Sequence, residues 1–133
     1  MPKMIDAKTL LVTVACGVAL AATGSASASR PATAQEYPRI VYPVRVWAAR
    51  TAQVPILLLV TSVRVSTVDL DGGHVSHWAI VRTRAYNAHT GEREQNIVAV
   101  VHLNYLGKWT MHSEGTACGV PRAVQHDLGL PCW

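Results

Sequence analysis

The chain has no glycine-rich phosphate loop, no heptad, no internal repeat and no long stretch of helical period. Those absences exclude phosphate-loop nucleotide chemistry, a coiled coil and a solenoid. Cysteine is scarce, with three residues, and no two of them are spaced as C-x-x-C. A thioredoxin-like redox motif is therefore excluded. No serine sits in G-x-S-x-G, so there is no nucleophile elbow. The excess of basic charge is small. Beyond residue 28, setting aside Lys3, Lys8 and Asp6, ten Lys+Arg stand against seven Asp+Glu. They are dispersed along the chain, well short of a nucleic-acid footprint, and read as ordinary surface charge. No apolar run reaches the roughly 20 residues of a spanning helix. The longest, LLVTVACGVALAA over residues 10–22, has thirteen.

What is present begins with that run. Lys3 and Lys8 precede it, and small residues follow it to Ala26-Ser27-Ala28. This order is a secretory signal peptide over residues 1–28, with cleavage expected before Ser29 and a second small-residue site before Gln35. An uncleaved anchor is the alternative. Leu-Val-Thr-Val-Ala before Cys16 is a poor lipobox, and the apolar run continues past the cysteine. The expected location is extracellular, with no membrane attachment after cleavage. The 105 residues that remain make one domain with a modest core.

Residues 29–38 are polar and contain proline, and are expected to be a disordered leader. Residues 39–133 are expected to form a single antiparallel β domain. RIVYPVRVW, residues 39–47, reads as a strand whose Pro43 confines it to an edge or bulge. Residues 48–53 are a helical turn or loop. VPILLLV, residues 54–60, has no alternation and reads as a strand end buried on both faces. Residues 29–61 thus show no long helix.

Residues 63–113 organise the chain as a meander. Asp71-Gly72-Gly73 is a hairpin signal, because Gly supplies the positive φ of such turns. With one β-bulge at Ser66-Thr67, Val63 meets Val81, Val65 meets Ala79 and Leu59 meets Ala85. A hairpin near Gly91 pairs Val81 with Val101, Ala79 with Leu103 and Ala85 with Ile97. One face is then apolar: Leu59, Val63, Val65, Ala79, Val81, Ala85, Ile97, Ala99, Val101 and Leu103. The other carries Arg64, Trp78, Ile80, Arg82, Arg84, Val98, Val100, His102 and Asn104. Residues 54–60 and a short helix over 119–128, opened by Pro121 and capped by Gly129, are the pieces expected to cover the apolar face. The fold class is mainly β, at the margin of α+β: a curved antiparallel meander with a short, disulfide-stapled C-terminal helix.

Two cysteines survive processing into an oxidising compartment, so Cys118 and Cys132 are expected to pair. The bridge closes a 15-residue loop, worth about 3 kcal/mol by chain entropy. Other constellations are weak. His102 and His112 oppose each other if Leu106-Gly107-Lys108 is a three-residue loop, and face opposite sides if Gly107-Lys108 is a two-residue turn. They are the candidate metal ligands, but two imidazoles fall short of a zinc site, and no metal or other cofactor is expected. His74 and His77, at i and i+3, point to opposite faces of a strand. Glu92 and Glu94 flank Arg93 in a polar loop and read as solvated charge. Ser113 near the histidines and Asp127 in the C-terminal helix do not make a triad. Trp109 and Met111 read as sheet-packing residues.

Val68-Asp69-Leu70-Asp71-Gly72-Gly73, the alternating strand to Tyr86, Val101-His102-Leu103 and Leu106-Gly107-Lys108-Trp109 carry a resemblance. Residues 62–118 resemble the second half of small exported proteins with the cone-shaped, cystatin-like fold of ketosteroid isomerases and nuclear transport factors. The resemblance implies a curved antiparallel sheet with helices ahead of it. The tyrosine and acid of the isomerase chemistry have no matching positions here.

The function these features favour is a secreted, non-catalytic binding domain for an unidentified protein or small ligand, with a homodimer through the same face as an alternative and no nucleic-acid partner. Its expected contact residues are Arg64, Trp78, Ile80, Arg82, Arg84 and His102. The alternatives are a small-molecule pocket protein or isomerase- or hydrolase-like enzyme lined by Trp78, Arg82 and His102, and a secreted inhibitor or antimicrobial protein.

Overall fold

A computed structural model describes residues 29–68 and 77–133. The expected signal peptide, the expected Asp71-Gly72-Gly73 turn and His74 lie outside the described residues. The elements are β1 (Arg30–Pro31), α1 (Glu36–Thr51), β2 (Ile56–Val65), β3 (Trp78–Asn87), β4 (Val98–Leu103), β5 (Trp109–Glu114) and α2 (Arg122–Leu128). The strands form one sheet in the order β1-β2-β3-β4-β5, with every neighbour antiparallel. The sheet is the expected meander, and Cys118 is bonded to Cys132 beside α2. No helix among the described residues is long and apolar enough to cross a membrane.

The segment expected as a strand over 39–47 is instead the middle of α1. A capping box starts it: the Glu36 N–H donates to Thr33 Oγ1 at 3.1 Å, and the Thr33 N–H donates to Glu36 Oε1 at 2.9 Å. Each side chain thereby satisfies a backbone donor at the open end of the helix. Pro43 lies inside α1 and costs about 3 kcal/mol or more there. Burial outweighs it. Ile40, Val41, Val44 and Ala48 are buried along one helical stripe, and each large side chain among them contributes about 1.5–3 kcal/mol. Local propensity favours a strand here, and tertiary packing overrides it.

Residues 29–38 are likewise part of the fold, not a leader. Arg30 pairs with Val65 and Pro31 with Arg64. The Ala32 N–H donates to the Val63 carbonyl at 3.2 Å. Arg30 also grips Glu36 through two hydrogen bonds, 2.7 and 2.8 Å long.

Register places the two faces. Val63 pairs with Val81 and Val65 with Ala79 as expected. The bulge, however, lies between Val60 and Ser62 instead of at Ser66-Thr67. Below it Leu58, not Leu59, pairs with Ala85 and enters the core, because one extra residue exchanges the faces of everything beyond it. Residues 54–60 are accordingly not buried on both faces. The β3–β4 pairing joins Ala79 to Val101 and Val81 to Ala99, two residues from the expected register. A slip of two keeps every side chain on its expected face. The β4–β5 loop is three residues long, but it is Tyr105 to Gly107, closed by the Asn104 N–H donating to the Lys108 carbonyl at 2.9 Å. Gly107 supplies its positive φ of 81°. Leu103 then meets Trp109 and His102 meets Thr110.

Two layers cover the sheet, and neither is the expected one. α1 packs its buried stripe on the inner face, against Leu58, Val63, Val65, Ala79, Val81, Ala99, Val101 and Trp109. The stapled C-terminal segment crosses the outer face instead. Ala117, Val120, Val124, Leu128 and Leu130 close over Ile80 and Val100. Gly129 ends α2 in the left-handed region at φ 72°, the usual helix stop.

Candidate functional site

The outer face of the sheet divides into three regions, and the expected contact residues are spread over all of them. In the middle, Ile80 is fully buried beneath α2. It is a packing residue and cannot touch a partner, which corrects its place among the contacts.

At the end where β3 begins, aromatic rings gather around Trp78. Trp78 pairs with His102 across the sheet, and their ring centroids are 4.3 Å apart. His112 presents an edge to the same indole at 5.0 Å, and His77 lies 6.4 Å from His102. His102 and His112 are thus brought to one face, but not directly opposite each other. A bulge in β5, between the Val101–Met111 and Val100–Ser113 pairs, makes His112 the extra residue. His112 Nε2 lies 3.1 Å from the Cys118 carbonyl oxygen, tying the cluster to the stapled segment. Burial lowers the pKa of His102, and the charges of His77 and His112 add to the effect. Among the described residues no three His, Cys, Asp or Glu side chains assemble as a metal site.

In the centre, Arg64 and Arg82 border a hollow of about 450 Å³ with Ser62, His126, Leu128 and Gly129. Arg64 Nε donates to Ser29 Oγ at 3.2 Å, and its Nη2 donates to the Ser29 carbonyl. Asp127 also borders the hollow. Its Oδ2 accepts from Ser66 Oγ at 2.7 Å and from the Thr67 N–H at 3.0 Å. Ser66 is fully buried, and a hydroxyl so placed is a structural donor, not an accessible nucleophile. Ser113 donates to the Thr116 carbonyl at 2.6 Å, a turn contact.

At the far end no layer among the described residues covers the sheet. Leu57 pairs with Tyr86 and Leu59 with Arg84. Leu57 is 62 % exposed and Leu59 is 53 % exposed, beside an exposed Arg84. Sequence reasoning put Leu59 on the apolar inner face and missed both leucines. The bulge at Thr61 turns them outward, and only the lack of alternation in ILLLV hinted at an irregular strand. Glu92 and Glu94 belong to the loop beyond this end, where Arg93 bridges to Tyr86. No family model, curated protein or solved structure matches this chain.

Proposed function

We propose that the chain is a secreted, non-catalytic binding domain whose partner is a protein with an acidic and apolar surface. The carrying observation is the uncovered end of the outer face, where Leu57 and Leu59 stand exposed beside Arg84. Two exposed leucines next to an arginine have the composition of a contact surface. The sheet residues of this face include Arg64, Arg82 and Arg84 and no carboxylate. A second copy seated face to face would set arginine against arginine, so charge favours a different, acidic partner.

Export is supported by the signal-like order of residues 1–28 and by the Cys118–Cys132 bridge, which belongs to an oxidising compartment. The non-catalytic reading is supported by Ser66, Asp127 and Ser113, each of which is engaged in holding the fold. A helix ahead of an antiparallel meander is the arrangement that the cystatin-like resemblance implies, and this supports a curved-sheet scaffold.

The test is a photo-crosslinking amino acid at position 57 in the exported protein, with a control at the exposed Arg50 of α1. A discrete adduct with another protein from position 57 alone is expected. An adduct between two copies, or none, would sink the proposal.

A further inference from the structure

We propose that the hollow between Arg64, Arg82 and the C-terminal end of α2 binds a small monocarboxylate with an apolar tail. This goes beyond the protein-binding reading above, at a separate place on the same face.

The pairing of Ser62 with Arg82 and of Arg64 with Ile80 places the two arginines diagonally on neighbouring strands. Diagonal neighbours lie about 7–8 Å apart, within reach of long side chains. Both residues border the same hollow. Arg64 is held in place by its two bonds to Ser29. The Arg82 guanidinium has no hydrogen bond or ion pair among the described residues, where Arg30–Glu36 is the sole salt bridge. Two like charges at the edge of a low-dielectric region repel each other. An anion seated between them relieves both, and arginine presents a fork that fits a carboxylate through two parallel bonds.

The charge of the hollow selects the kind of anion. Arg64 and Arg82 contribute two positive charges and Asp127 one negative, and Ser29, which also borders the hollow, brings the α-amino group of a chain cleaved before it. The negative end of the α2 dipole also faces this side, since Leu128 and Gly129 lie at its C-terminus. A carboxylate meets the arginines with one negative charge. A phosphate dianion sets a second negative charge against Asp127 and the helix end. The volume of about 450 Å³ is that of a small-molecule site, and Leu128 and Gly129 give an apolar wall for the tail.

The test is titration of the exported protein with hexanoate, hexyl phosphate and hexylammonium, followed by amide NMR. Hexanoate should give saturable shifts at Ser62, Arg82 and Gly129. Hexyl phosphate should bind more weakly, and hexylammonium should give no saturable shift. Arg82→Gln should weaken hexanoate at least about tenfold, the loss of one charge-assisted contact, while Arg50→Gln on α1 should not weaken it. Should Arg64→Gln disturb the Ser29 contact, Arg82→Gln decides, because the Arg82 guanidinium has no partner to lose among the described residues. The site is overturned by absent saturation, by hexanoate binding that survives Arg82→Gln, or by tighter binding of the phosphate or the amine. Hexanoate binding without a crosslink from position 57 sinks only the protein partner. A crosslink without hexanoate binding sinks only the carboxylate site.

Discussion

Asp127 joins the outer layer to the sheet. One of its oxygens accepts both the Ser66 hydroxyl and the Thr67 N–H, and the residue is only 7 % exposed. Asp127→Ala leaves that hydroxyl without its acceptor in the interior, at a cost of about 2–3 kcal/mol. Asp127→Asn keeps an acceptor and should cost less, a ranking that urea denaturation of the two variants checks. Glu36 titrates the other end of the fold. Hydrogen bonds from Arg30 are the main cause that holds its pKa down at about 2, with the Thr33 N–H helping. The ionised form is thus favoured in the folded state. Its contribution is present above the unfolded value near 4.5 and is lost as the pH falls towards about 2. The pair is partly solvated, so Glu36→Gln should cost no more than about 1 kcal/mol at pH 7. Stability curves of the two proteins should converge as the pH falls towards about 2.

His102 has the same sign at a higher pH. Its folded pKa lies below the ordinary 6.5, chiefly through burial, so the unfolded chain binds the proton more readily. The stability this contributes is present above pH 6.5 and is lost as the pH falls below it. In His102→Gln the slope of stability against pH between 6.5 and 5 should be shallower than in the parent. An unchanged slope would assign that slope to other groups.

Among the elements, α2 depends most on a covalent constraint. It has seven residues, too few to persist alone, and is held by its apolar contacts and the bridge closing the loop around it. Reducing Cys118–Cys132 returns about 3 kcal/mol of chain entropy to the unfolded segment. Hydrogen exchange should then show protection falling first in α2 and over Ile80 and Val100, while the β3–β4 backbone bonds persist. Equal loss throughout would mean that the outer layer and the sheet open as one unit. α1 shows the opposite balance. It carries a mid-helix proline and no covalent tie, yet its buried stripe spans the whole inner face.

For the molecule as a whole, the layers explain which surface is left over. Sixteen residues of α1 cover the inner face, and the stapled segment is long enough to cover only the middle of the outer one. The ends of the outer face remain, one filled by the histidine–tryptophan cluster and one carrying Leu57, Leu59 and Arg84. Export should remove the signal before this assembly matters. Mass spectrometry of the protein from culture medium should give a chain beginning at Ser29, and a mass beginning at Met1 would contradict secretion by cleavage.

The meander, its two-faced alternation, the disulfide and the C-terminal helix with its Gly129 cap were all legible in the sequence. Each rests on a local signal: period-two patterning, a pair of cysteines, or a residue suited to positive φ. The α1 helix was missed, with residues 29–38 read as a leader and 39–47 as a strand. Thr33 and Glu36 have capping-box spacing, but Pro43 and the β-branched run over 39–47 favour a strand, and only packing against the inner face decides between them. The outward turn of Leu57 and Leu59 depends on a single-residue bulge, and the separation of His102 from His112 depends on where the β4–β5 loop falls. A bulge leaves the composition of a strand unchanged and is selected by which neighbours a side chain meets across the sheet. For the same reason the placing of Arg64 and Arg82 at one hollow with the end of α2, and the bond of Asp127 to Ser66, belong to the tertiary structure. Residues more than sixty positions apart, such as Ser66 and Asp127, are brought together by the layering of the fold and by no pattern within either segment.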